Sequence, residues 1–286
     1  MERYEKLFPE EIPRGGSSIF FIGGSAVAFV FVKDDYGNII MSGEIFSAGG
    51  GVMRNLSKGN CYICGDVIGK MAMKRHLLEK HAEYFGSGAE RCYLIRAEGA
   101  EAPNYWIYFD IALDKKLSAL DNFLRNIWLE CCGHLSEFST PADILGKGRK
   151  IAELDVGEIF YHRYDFGTPT ELKLVVEGET TRPKQRGAIR LLARNIPPEH
   201  RCLKCGKKAD YINVVYDEGP AYYCKECTDV LMDDTGDESD EFFPLLITNS
   251  PRCGVCGYEG EFDRYEYTAP LADDIKAPAR SKNKNA

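Results

Sequence analysis

The run Tyr105-Trp106-Ile107-Tyr108-Phe109-Asp110-Ile111 is almost wholly aromatic or branched, the composition of a β-strand. Directly after it, Leu113, Leu117, Leu120, Leu124, Ile127 and Trp128 recur mostly at intervals of three and four. That period predicts an amphipathic helix over about 117–130, which must lay its apolar face on a sheet. Further along, residues 160–166, 171–176 and 188–193 read as three more strands, punctuated by Gly167-Thr168-Pro169 and Gly178. Asp165 and Gly167 are expected to end a strand, with Gly167 taking positive φ. One helix among strands joined by short turns is an α+β fold, with a central mixed or antiparallel sheet packed with helices.

Outside that block the cysteines organise the chain. Cys202-Leu-Lys-Cys205 and Cys224-Lys-Glu-Cys227 are two CxxC pairs separated by eighteen residues, with the strand-like run 211–216 between them. Two knuckles at this spacing close over one tetrahedral Zn²⁺ as a zinc ribbon, and four thiolates leave no open position for substrate. Cys61-Tyr-Ile-Cys64 is followed by His76 and His81 at Cys-Cys-His-His finger spacing, with both imidazoles on one short helix. Cys92 lies close enough in sequence to replace His81 as fourth ligand, and the spacing leaves both open. A fourth pair, Cys253-Gly-Val-Cys256, has no CxxC mate nearby, but Cys131-Cys132-Gly133-His134 offers two ligands. The third site expected from the sequence is therefore Cys132, His134, Cys253 and Cys256, with Cys131 on the opposite side of the turn. The bland reading of that cluster is small buried thiols and a reduced turn. Cys132 as nucleophile with His134 as base lacks an orienting third group in the sequence.

At 286 residues with 44% apolar content, the chain can bury a core and has room for about two domains. Eight of eleven cysteines fall in CxxC pairs, and no signal peptide is read ahead of them, so a reducing cytoplasm is expected. The most apolar stretch, 18–32, is broken by Gly23-Gly24 and too short for a membrane span. Residues 19–22 and 26–32 read as strands, Asp34-Asp35-Tyr36-Gly37-Asn38 as a hairpin turn, and Ser47-Ala48-Gly49-Gly50-Gly51 as a linker. Neither glycine cluster matches a phosphate-cradling pattern.

Residues 120–136, from Leu120-Asp121-Asn122-Phe123 to Cys131-Cys132-Gly133-His134-Leu135-Ser136, together with Tyr164-Asp165-Phe166-Gly167-Thr168-Pro169-Thr170-Glu171-Leu172, resemble the plasmid pRiA4b ORF-3-like family. Leu192-Ala193-Arg194-Asn195 and residues 249–258 resemble members that carry an N-terminal finger and a C-terminal ribbon. The likeness spans roughly 58–265. It implies a compact α+β domain of plasmid-borne and transposon-associated proteins and assigns no catalytic residue. The organisation expected is a strand-rich segment (1–56), a finger (57–92), the α+β domain (100–198), a ribbon with the last CxxC (199–265) and a disordered tail (266–286).

The net charge of −8 argues against indiscriminate binding to nucleic acid, yet charge is uneven. Between 182 and 208 stand nine Lys or Arg, among them Arg182, Lys184, Arg186, Arg190 and Arg194, against Glu199 alone. Residues 229–241 hold seven acids and no base. The basic stripe is either a phosphate-contacting face or the internal counterpart of the acidic loop. The expected function is a non-catalytic zinc-binding protein, associated with a plasmid or mobile element, that contacts DNA or RNA through the finger and stripe. The alternative is a protein-protein interaction module with purely structural zinc sites.

Overall fold

In the computed structural model, the described residues are 27–33, 39–45, 57–85, 88–183, 187–215, 219–235 and 242–260. The expected strand at 19–22, the 47–51 linker, Lys184, Arg186, residues 236–241 and the 266–286 tail lie outside them. The chain divides into two compact units, Met1–Leu56 and Ser57–Ala286. In the first, β1 (Val27–Lys33) pairs antiparallel with β2 (Ile39–Ile45), on either side of the expected turn.

The second unit is α+β. Its strands are β3 (Lys58–Cys61), β4 (Val67–Gly69), β5 (Glu90–Gly99), β6 (Trp106–Ala112), β7 (Ser136–Ser139), β8 (Ile144–Leu145), β9 (Ile159–Tyr164), β10 (Thr170–Arg182) and β11 (Ile189–Asn195). These form one antiparallel sheet in the order β4-β3-β11-β6-β5-β10-β9-β7-β8. Between its strands run α1 (Lys70–Arg75), α2 (Ala82–Phe85) and α3 (Leu117–Leu124), and α3 continues as a π-turn over Arg125–Leu129. A separate three-stranded sheet, β12 (Tyr211–Val215), β13 (Gly219–Tyr223) and β14 (Leu245–Leu246), carries α4 (Lys225–Thr235). No helix of the described residues is long and apolar enough to cross a membrane.

Strand alternation explains how the central sheet is covered. Ile107, Phe109 and Ile111 of β6 join Leu117, Leu120, Phe123 and Trp128 in one core, so the expected helix face lies where its period requires. Trp106 and Tyr108 point the other way, into a second core with Met73, Leu77 and Phe85. Every residue of β6 is buried as a result. The helical part of the finger is thus the cover of the sheet's second face.

Asp165, rather than Gly167, takes the left-handed conformation, at φ 65°. Aspartate tolerates this region because its side chain bonds its own backbone. Here Oδ1 accepts from the Gly167 amide at 2.9 Å and Oδ2 accepts from Arg252 at 2.8 Å.

Beneath α3, Asp121 accepts from His162 Nε2 (2.8 Å), Lys147 Nζ (2.8 Å) and Ser136 Oγ (2.7 Å). His162 is fully buried and its Nδ1 has no partner. Burial holds its pKa below the ordinary histidine value, outweighing the pull of Asp121. Burial also raises the Asp121 carboxyl, but His162, Lys147 and Ser136 together hold it well below the usual carboxylate range. The unfolded chain therefore binds protons more readily at both groups. Stability from His162 is present above about pH 6.5 and lost as pH falls below it, and that from Asp121 is lost below about pH 4. The urea midpoint is expected to drop between pH 7.5 and 5.5, and less so in His162→Phe. A midpoint that rises on acidification would overturn this assignment.

Candidate metal centres

Three clusters bring four Cys or His ligand atoms within 4.8 Å of one another: Cys61, Cys64, His76, His81; Cys202, Cys205, Cys224, Cys227; and Cys131, Cys132, His134, Cys256. A tetrahedral ion with metal–sulfur bonds of about 2.3 Å and metal–nitrogen bonds of about 2.05 Å implies edges of about 3.8 Å between sulfurs, 3.6 Å between sulfur and nitrogen, and 3.3 Å between nitrogens. Those edges are a direct test of fit.

In the finger, the β3–β4 hairpin turns at Gly65, whose φ of 80° suits glycine, and presents Cys61 and Cys64. His76 and His81 are five residues apart, a spacing that an α-helix would splay by more than a quarter turn. The chain instead forms a π-turn over His76–Lys80, whose wider winding returns the fifth residue toward the same face. Cys61 Sγ lies 3.6 Å from His81 Nε2, Cys64 Sγ 3.4 Å from His76 Nε2, and the two Nε2 atoms are 3.1 Å apart. These match the expected edges. The fourth position falls to His81, because Cys92 is buried and its thiol faces the Glu90 carbonyl. Burial pushes the Cys61 thiol up to about 11, so taking a metal at neutral pH requires expulsion of its proton.

The ribbon cluster sits between the Cys202–Cys205 turn, the β12–β13 hairpin and the first turn of α4. Cys205 Sγ and Cys224 Sγ are 3.6 Å apart, again a tetrahedral edge. Burial raises the Cys202 thiol, yet backbone donors at Cys224, Cys205 and Lys204 bring it down to about 6, as suits a ligating thiolate.

The third cluster departs from the expected set. Cys131 Sγ is 3.7 Å from Cys132 Sγ, which is 3.8 Å from Cys256 Sγ. His134 Nε2 stands 2.9 Å from Cys132 Sγ and 3.3 Å from Cys256 Sγ. Cys131 belongs to the group and Cys253 does not: the Cys253 sulfur accepts the Thr248 amide at 3.4 Å. The sequence signal for Cys131 was its adjacency to Cys132, which spacing rules alone do not favour over a CxxC. Cys132 and His134 do meet, but hydrogen bonding with Cys131 pushes the Cys132 thiol up to about 11, the reverse of an activated nucleophile. Asp165 also lies 3.5 Å from Nε2, the nitrogen that faces the thiols, so it does not orient the ring from behind.

The arginines of the basic stripe on β10 and β11 are engaged inside the protein, while Arg201, Lys204, Lys207 and Lys208 are exposed. Arg182 is fully buried, donating to Glu90 (2.7 Å), Asp110 (2.5 Å) and the carbonyls of Gly187 and Ala188. Arg190 grips both oxygens of Asp110 and lies over the Tyr84 ring. Arg194 donates to the Asn249 carbonyl at 2.7 Å. On the finger, Lys70 pairs with Glu98 (2.8 Å) and Lys74 with Glu177 (3.0 Å). Strand alternation turned Arg182 and Arg190 inward, where interior acids neutralise them.

No family model matches the chain, and no curated protein matches it. Among solved structures, a protein of unknown function from Methanosarcina mazei Go1 is similar at 14% identity, over 54% of this chain and 93% of that one, with a TM-score of 0.34.

Proposed function

We propose that this protein is a non-catalytic binding module whose finger and ribbon hold structural Zn²⁺, and whose partner is another protein. The observation that carries this reading is where the charge goes. Arg182 and Arg190 are interior, and Lys70 and Lys74 of the finger are engaged by acids of the sheet. A finger that reads DNA inserts its helix in the major groove, but Met73 and Leu77 of this one are core residues. Among its charged residues the ribbon also exposes large apolar side chains: Leu203 is 71% exposed, Val230 59% and Phe243 72%. Of the fourteen large apolar side chains exposed among the described residues, six lie between 203 and 246. Such a concentration on one small module suits a protein interface.

A second reading keeps nucleic acid, because Arg201, Lys204, Lys207 and Lys208 are exposed on the first ribbon knuckle. The two separate in one experiment. Affinity capture with the full chain after nuclease treatment is expected to retain a defined protein partner, and Leu203→Asp with Phe243→Asp to lose it. Filter binding to DNA and RNA is expected to stay at background across a salt series. Tight, salt-dependent binding abolished by Lys204→Glu and Lys207→Glu would replace the first reading with the second.

A further inference from the structure

We propose that Cys131, Cys132, His134 and Cys256 bind a third, thiophilic metal ion of the Zn²⁺ class, which clasps residues 249–258 to the turn after α3, and that Cys253 is not a ligand. Three soft thiolates with one imidazole select zinc or a similar ion and disfavour magnesium, calcium or manganese. The Sγ separations of 3.7 and 3.8 Å equal the edge of a tetrahedral thiolate site, while His134 Nε2, at 2.9 and 3.3 Å from Cys132 and Cys256 Sγ, lies inside the sulfur–nitrogen edge of about 3.6 Å, so the ring must swing outward to share an ion.

The protein holds both halves of the site in place by independent bonds. On one side, Glu130 Oε1 accepts from the Gly133 amide at 2.6 Å, and Gly133 takes φ 82°, which folds the Cys131–His134 turn back on itself. On the other, Ser250 Oγ donates to the Trp128 carbonyl (2.6 Å) and Trp128 Nε1 donates to the Asn249 carbonyl (3.0 Å). Arg252 is wholly buried and donates to Asp165 and to Thr170 Oγ1. Its Nη2 also lies 3.5 Å from Cys131 Sγ, a charge-assisted contact to a ligating thiolate of the kind that orients metal ligands.

The knuckle itself accounts for the choice of sulfur. Cys256 has φ 52°, a left-handed conformation that costs energy in a residue with a side chain and that carries its sulfur into the cluster. Cys253 points elsewhere, to the Thr248 amide. Spacing alone treats the two cysteines as equivalent, and the backbone does not.

The proposal concerns a metal and its ligands, so it stands or falls independently of the partner. The full chain is purified with zinc, and metal per chain is measured in wild type, Cys131→Ala, His134→Gln and Cys253→Ala. Three per chain is expected in wild type and Cys253→Ala, and two in Cys131→Ala and His134→Gln. A loss of one metal in Cys253→Ala, or two per chain in wild type, would overturn it. As a check that needs no variant, brief alkylation of zinc-loaded wild type followed by peptide mass spectrometry is expected to mark Cys253 and spare Cys131, Cys132 and Cys256. Protection of Cys253 with labelling of Cys131 would equally overturn the ligand set.

Discussion

Asp110→Ala is expected to destabilise the second unit by about 3–5 kcal/mol, the loss that follows when one member of a buried ion pair is removed. Asp110 is fully buried in β6 and stands directly opposite Arg190 of β11. Its two oxygens answer two guanidinium groups, those of Arg182 and Arg190, neither more than 7% exposed. Removing the carboxylate leaves two positive charges in an interior walled by Tyr84 and Phe85, with Glu90 reaching only Arg182. Water cannot enter to solvate them without opening the sheet. Asp110→Asn keeps the shape and two acceptor or donor positions and should lose less. Replacing all three residues with apolar ones of similar volume should recover much of the loss, since a buried ion pair contributes little net stability against a well-packed apolar substitute. Urea unfolding of the four proteins settles it, and a loss below about 1 kcal/mol for Asp110→Ala would show that these arginines find other partners.

The same cluster shows what could and could not be seen in the sequence. Leu117 to Trp128 announced a helix because its core lies on one side, and a one-sided environment leaves a periodic trace. β5 left a broken one: Tyr93, Ile95 and Ala97 pack on the helix side, but on the other face Leu94 packs on the finger and Cys92 is buried between the charged Glu90, Arg96 and Glu98, so the alternation is interrupted. The basic run at 182–208 looked like a surface because local sequence records charge and omits its partner. The partner of Arg182 and Arg190 is Asp110, at least seventy-two residues away, brought beside them only by the strand order β11-β6-β5-β10. The metal clusters follow the same division. Ligands within one knuckle or helix were legible from spacing, including His76 and His81. Whether Cys131 or Cys253 completes the third cluster depends on how two distant segments meet, which spacing does not encode.

Removing the metals should divide the second unit into a part that survives and a part that does not. The ribbon has almost no core of its own: among its described residues only Cys202, Ala209, Ile212 and Cys224 are buried apolar side chains, and two of those are ligands. On the structural role proposed for zinc, a module this small owes its fold to the ion, whose binding contributes about 10–16 kcal/mol in comparable zinc peptides. The finger differs, because β3 is hydrogen-bonded to β11 and Met73, Leu77 and Phe85 are shared with the central sheet. Chelation at neutral pH is therefore expected to expose the 202–246 segment to protease while β5, β6, β10 and α3 stay protected, with loosening of 70–85 as a smaller second effect. Acid should act in the same direction, since each thiol must give up its proton to bind metal and protons compete more strongly as pH falls. The measurement is limited proteolysis with mass spectrometry before and after chelation, with metal content recorded at each step. Full loss of metal with an unchanged cleavage pattern would mean that the ribbon's hydrogen bonds hold it without an ion, and the structural role assigned to these clusters would be wrong.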